Sequence, residues 1–203
     1  MTATHGHGLI YRWVWGYRAL MRLLYGPGYI SKYQAVVDLI PSGASVVDLC
    51  AGDCVVAPLL KAKGCAYVAL DLNEGFVSWA KNRDIDARLW DGVHDAIPES
   101  DVVCMQSSLY HFMDGDRVLL QRMASAARKM VIISEPVHNI STEGASFFQL
   151  MARKLTVIGG REHSQRYTAD SLDALLKNLP GVRVRLVSQG RDVVYVLEKD
   201  GAL

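Results

Sequence analysis

Val46-Val47-Asp48-Leu49-Cys50-Ala51-Gly52-Asp53-Cys54 is the stretch whose reading decides the fold. An apolar run ends in an acid, a loop of small residues follows, and a helical pattern begins. About twenty residues further on, Ala66-Tyr67-Val68-Ala69-Leu70 ends in a second acid, Asp71. A strand, a tight loop opening a helix, and an acid closing the next strand make a nucleoside-binding βαβ unit. The loop lets backbone N–H groups approach a ligand, and the second acid can accept hydrogen bonds from both ribose hydroxyls. Locally, Asp48 and Asp53 can merely cap the helix that follows, and Asp71 can be a helix-start acid.

Outward from this unit, strands and helices alternate. Strands are predicted over 45–50, 66–71, 86–90, 101–106 and 130–135, with helices over about 53–63, 74–82 and 114–127. That alternation implies a parallel sheet with helices on both faces. The end differs. After helical segments near 143–157 and 168–178, strands at 182–188 and 193–198 are separated only by Gln189-Gly190-Arg191-Asp192. So short a turn makes the last strand antiparallel to its neighbour, unlike a dehydrogenase sheet. At the other end, Trp13, Tyr17, Leu20, Met21 and Leu24 form a helical stripe. Gly26-Pro27-Gly28 breaks it, and Ser31 is placed to cap a second helix through Leu39.

Composition bounds the function. A chain of 203 residues, 50% hydrophobic and 21% charged, suits one globular domain. A net charge of +1 gives no case for nucleic acid. Cys50, Cys54, Cys65 and Cys104 sit in or beside apolar runs, which reads as reduced thiols in a cytoplasmic protein. Cys50 and Cys54 lack a second ligand pair, so no metal site is expected. No signal peptide is evident, and no apolar run is long enough to span a membrane.

With these residues in place, the chain resembles a class I S-adenosylmethionine-dependent methyltransferase from about residue 33 to 200. The resemblance rests on Val47-Asp48-x-x-x-Gly52, on Asp71, on Trp90-Asp91-Gly92, on Asp101 opening strand four, and on the closing hairpin. It implies a three-layer Rossmann-like sandwich, with a seven-stranded, mostly parallel sheet and an antiparallel last strand. Residues 1–203 would then form one domain, a helical lid over 1–40 and a core over 41–203. S-adenosyl-L-methionine is the implied cofactor. Asp48, Cys50 and Gly52 would hold its methionine portion, Asp71 its ribose hydroxyls, and Leu72 its adenine. Asp91, with Gly92, would receive the adenine amine, and Gln106 would face the methionyl amine or the methyl group. Where the family carries three loop glycines, this chain carries Cys50, Gly52 and Cys54.

Methyl transfer mainly requires alignment of donor and acceptor and exclusion of water, so no catalytic dyad need stand out. The loops after strands four and five floor the acceptor pocket in this fold. They offer Tyr110, His111, Glu135 and His138, with His111 the candidate general base. Residues 11–33 hold seven of the seventeen aromatics, Tyr11 and Tyr29 among them, and no acid occurs before Asp38. Arg153, Lys154, Arg161 and Arg166 form a second basic cluster. A basic, aromatic roof on a nearly neutral chain suggests a small acceptor that is anionic or amphipathic, or a lipid surface. The residues also admit a nicotinamide-dependent oxidoreductase or a non-catalytic cofactor-binding protein.

Overall fold

Strand β1 (Ser45–Leu49) lies at the centre of the sheet, between β2 (Ala66–Asp71) and β4 (Ser100–Gln106), parallel to both. The molecule is described from a computed structural model, over residues 14, 16, 18, 22, 23, 28–137, 166–180, 182–188 and 192–199. β3 (Asp86–Leu89) extends the sheet beyond β2, and β5 (Ala127–Pro136) extends it beyond β4. β7 (Asp192–Lys199) then inserts antiparallel between β5 and β6 (Val182–Ser188). The order is β3-β2-β1-β4-β5-β7-β6, seven strands with β7 alone reversed. The expected architecture therefore holds, although the hairpin turn at 189–191 and the helical segment near 143–157 lie outside the described residues.

The alternation of side chains along β1 splits the core. Val46 packs with Val36 and Val37 of α1 (Gly28–Leu39), with Ile40 just past it, and with Leu60 of α2 (Ala57–Ala62). Val47 and Leu49 face the other way. They join the cluster holding Leu119, Leu120 and Met123 of α4 (Asp116–Ala126) and Leu172 and Leu176 of α5 (Ala169–Lys177). A third helix, α3 (Glu74–Lys81), covers β2 and β3. Helices thus lie on both faces, giving the three layers.

Three element starts differ from the sequence reading, each for a local reason, and one element is new. α1 starts at Gly28, three residues before Ser31, which puts Tyr29, Lys32 and Tyr33 on one helical face at i, i+3 and i+4. α2 starts at Ala57 rather than near 53, because Cys54 has φ 51° and a left-handed residue cannot sit inside a right-handed helix. β5 begins at Ala127, not 130, because Ala127 pairs with Ser100 ahead of a bulge in β5. A 3-10 turn at Leu109–Phe112, unforeseen in the sequence, follows β4.

Asp101 fixes the amino ends of the central strands. Its carboxylate accepts from Ser45 N and Oγ at 2.9 and 3.0 Å and pairs with Arg128 and Lys129 at 3.4 and 3.6 Å. The opposite, carboxyl ends of β1 and β4 are left to the loops that build the site.

Candidate functional site

The loop after β1 is left-handed at alternate residues: Cys50, Gly52 and Cys54 have φ of 56°, 54° and 51°. Each such turn costs a side-chain-bearing residue about 1–2 kcal/mol and glycine far less. Ser107, just past β4, is left-handed as well, with φ 54°. The two bent loops face each other across one cleft, lined by Asp48, Cys50, Gly52 and Asp53 on one side and Gln106, Ser107 and Ser108 on the other. Tyr33 of α1 closes part of it. A Cβ built on Gly52 would meet no atom within 4 Å, so the loop turns open space toward the cleft.

Asp48 is buried on the cleft floor. Its Oδ2 accepts from the Tyr67 hydroxyl at 2.8 Å and its Oδ1 from the Cys104 thiol at 3.5 Å. Burial pushes its carboxyl up to about 7, against the pull of these two donors. Neither Asp48 nor Asp53 caps α2, whose N-cap is Val56 without a side-chain bond. Tyr67 and Cys104 were not foreseen as site residues. The one available signal was a tyrosine inside an otherwise apolar strand, since a buried tyrosine hydroxyl needs a partner.

Asp71, at the end of β2, clamps the loop. Its Oδ2 accepts from Gly52 N at 2.7 Å and its Oδ1 from Asn73 N at 2.8 Å. The helix-start role belongs instead to Asn73, whose side chain accepts from Gly75 N and Phe76 N at the start of α3. Leu72 is half-buried between them. Past β3, Asp91 accepts from Val93 N and from the His94 ring, both at 2.9 Å. These bonds, the His94 contact above all, hold its carboxyl below the usual range. Gly92 is buried against Phe112: a Cβ there would lie 2.5 Å from the ring. Asp71, Leu72, Asp91 and Gly92 thus continue from the cleft along the carboxyl ends of β2 and β3.

The loops after β4 and β5 converge on the other side. Glu135 is buried, and its Oε1 accepts from Ser108 N and Leu109 N at 2.6 and 2.7 Å, capping the 3-10 turn. Burial pushes Glu135 up to about 7, although these two N–H groups and the positive charges of Arg166 and Lys32 all pull it down. The Tyr110 ring lies 3.9 Å from the His111 ring centroid, and the Arg166 guanidinium carbon sits 3.3 Å from the Tyr110 centroid. Lys32 Nζ donates to Ser107 Oγ at 3.0 Å, at the edge of the cleft. Tyr110, His111, Glu135 and Arg166 therefore gather on one side, and Asp48, Cys50, Gly52 and Gln106 line the cleft next to them. Tyr29 points elsewhere, buried against Asp53. Tyr11 and His138 lie outside the described residues. All four cysteines are free, and no metal-holding cluster of three or more His, Cys, Asp or Glu occurs among the described residues.

By sequence, no family model and no curated protein matches the chain. Solved structures do. The chain is similar to magnesium protoporphyrin IX methyltransferase from Synechocystis PCC 6803 with bound S-adenosylhomocysteine, at 14% identity and TM-score 0.63, over 91% of this chain and 94% of that one. It is similar to human N-acetylserotonin methyltransferase in complex with S-adenosylmethionine, at 20% identity and TM-score 0.64, over 94% of this chain and 57% of that one. A Thermotoga maritima S-adenosylmethionine-dependent methyltransferase aligns at 17% identity and TM-score 0.67, over 94% and 98%. With the strand order and the reversed β7, these likenesses give the chain the Rossmann-like fold of the class I methyltransferases.

Proposed function

We propose that this protein is an S-adenosylmethionine-dependent methyltransferase acting on a small-molecule acceptor that carries negative charge or a long apolar portion. One observation carries the reading: in this fold, a bent loop pinned to Asp71 opens a cleft whose other wall begins at Gln106. The residues suit the cofactor. Gly52 turns open space to the cleft, and the Asp71 carboxylate that pins it is an acceptor of the kind ribose hydroxyls need. Asp48, Cys50, Gly52 and Gln106 would surround the methionine portion, and Leu72, Asp91 and Gly92 the adenine. When bound, the cofactor supplies an electrophilic methyl group on a sulfonium.

The chain's own groups would do the rest. His111 accepts the proton of a hydroxyl or thiol acceptor. Glu135 holds the 3-10 turn that carries His111. Lys32 and Arg166 supply positive charge toward an anionic acceptor, with Tyr110 as the apolar wall under Arg166. Among the described residues no helix is long and apolar enough to cross a membrane. We place the reaction in the cytoplasm, where four free thiols stay reduced.

Calorimetry with S-adenosylmethionine, S-adenosylhomocysteine, NAD and NADP tests the cofactor. Binding of the first pair alone supports the reading, and binding of NAD or NADP alone replaces it with an oxidoreductase. Incubation with S-adenosylmethionine and a metabolite extract, read by mass spectrometry for products heavier by one CH2, separates turnover from mere binding.

A further inference from the structure

Asp53 has no role in capping α2, yet it is 3% exposed and lines the cleft. A carboxylate that buried needs partners, because loss of hydration is costly for an ion. Its partners come from the N-terminal part of the chain. The Tyr29 hydroxyl donates to Oδ2 at 3.2 Å, and Arg18 Nε lies 3.6 Å from the same oxygen. Arg22 adds positive potential at longer range.

Arg18 is itself held from a second direction. Its guanidinium carbon is 5.1 Å from the ring centroid of Trp79 on α3, and the Arg83 guanidinium lies 4.1 Å from the same centroid. Arg18 therefore bridges an aromatic face and a buried carboxylate. The carboxylate belongs to the loop whose next-door residue, Gly52, is pinned to Asp71. Asp53 thus joins the cleft lining to Arg18 and Tyr29.

We infer that Asp53 is a positioning residue that latches Arg18 and Tyr29 onto the cofactor loop, so that docking of these residues and retention of the ligand reinforce each other. The coupling to ligand rests on the methyltransferase reading above; the latch itself does not. Two sites that share one side chain are linked reciprocally: whatever steadies the loop steadies Arg18 and Tyr29, and the reverse.

The test is hydrogen–deuterium exchange of the peptide spanning residues 14–23, in the full-length chain, with and without S-adenosylhomocysteine. Asp53→Asn keeps the shape and an acceptor for Tyr29 but removes the charge opposite Arg18. Arg18→Ala removes the other half and leaves the loop sequence intact. In the absence of ligand, each variant should accelerate exchange of 14–23 about five- to tenfold, and the double variant should be no faster than either single. Arg18→Lys should recover part of the protection. Unchanged exchange in both single variants, or additive effects in the double, overturns the latch.

In wild type, saturating S-adenosylhomocysteine should slow exchange of 14–23, and in Asp53→Asn it should not. The affinity should fall by about the same five- to tenfold factor in that variant. Equal slowing in both proteins overturns the coupling. If wild type binds no S-adenosylhomocysteine, the methyltransferase reading fails, and the ligand-free exchange alone decides the latch.

Discussion

Replacing Asp71 with alanine should injure the protein twice, and the two injuries are separable. In the folded chain its carboxylate holds Gly52 N and Asn73 N at 2.7 and 2.8 Å. A hydrogen bond to a charged group contributes about 1.5–3 kcal/mol. Asp71 is only half-buried, so the freed N–H groups can rehydrate and the lower end applies to each. Together they give about 3 kcal/mol, or a drop of roughly 6–12 °C in the melting temperature of a chain this long. The cofactor would lose its ribose contacts as well, a further ~1.5–3 kcal/mol, which is roughly ten- to a hundredfold in affinity. Urea denaturation of the ligand-free protein reads the first loss, and calorimetry with S-adenosylhomocysteine reads the second. Asp71→Asn should fall between, since its amide oxygen serves one N–H while its NH2 confronts the other. A denaturation midpoint unchanged in Asp71→Ala would refute the clamp. An affinity within about twofold of wild type would refute the ribose assignment.

Four further outcomes follow from the same geometry. Asp48 and Glu135 ionise near 3.8 and 4.5 ordinarily but hold their protons up to about 7 when folded. Between those limits the unfolded chain binds fewer protons, so each group lowers stability as pH rises from about 4 to 7, by roughly 3–4 kcal/mol in all for one group. Asp48→Asn should therefore gain stability relative to wild type across that window, and parallel pH profiles of the two melting temperatures would contradict this. Cys54→Gly relieves a left-handed side chain but adds unfolded-state entropy and removes a buried thiol from the cluster with Ala57 and Val77, so its stability in urea should stay within about 1 kcal/mol of wild type. Gly92→Ala should cost about 1–3 kcal/mol in the same assay by driving a Cβ into the Phe112 ring, and Phe112→Ala should restore part of the loss. His111→Gln should lower turnover about 10²–10⁴-fold while leaving S-adenosylhomocysteine affinity unchanged, measured once an acceptor is in hand.

The candidate site was legible in the sequence only where its signals are local. Asp48, Gly52 and Asp71 could be picked out because each ends a strand or opens a loop, and strand ends follow from short-range apolar runs. The left-handed turn at Gly52 follows from its lack of a Cβ, whereas the same turn at Cys50 and Cys54 does not follow from cysteine at all. Tyr29 looked like part of a roof over the acceptor. Its hydroxyl is instead spent on Asp53, twenty-four residues away in sequence. In the sequence Glu135 reads as part of the acceptor-pocket floor. Its carboxylate reaches back to Ser108 and Leu109, because β5 runs beside β4 and brings the ends of both strands together.

The amino-acid sequence by itself determined the alternation of strands and helices, the loop that breaks after Leu49, and the reversal of β7. These depend on periodicity, on capping residues and on the number of residues available for a turn, all of which act within a few positions along the chain. Tertiary structure alone decided that β1 lies between β2 and β4, that Tyr67 and Cys104 flank Asp48, and that Arg18 meets Asp53 over Trp79. Those neighbours are set by which apolar faces pack together across the sheet and by which buried charges must find partners. Both conditions are met only when the whole core closes, so no window of sequence contains them.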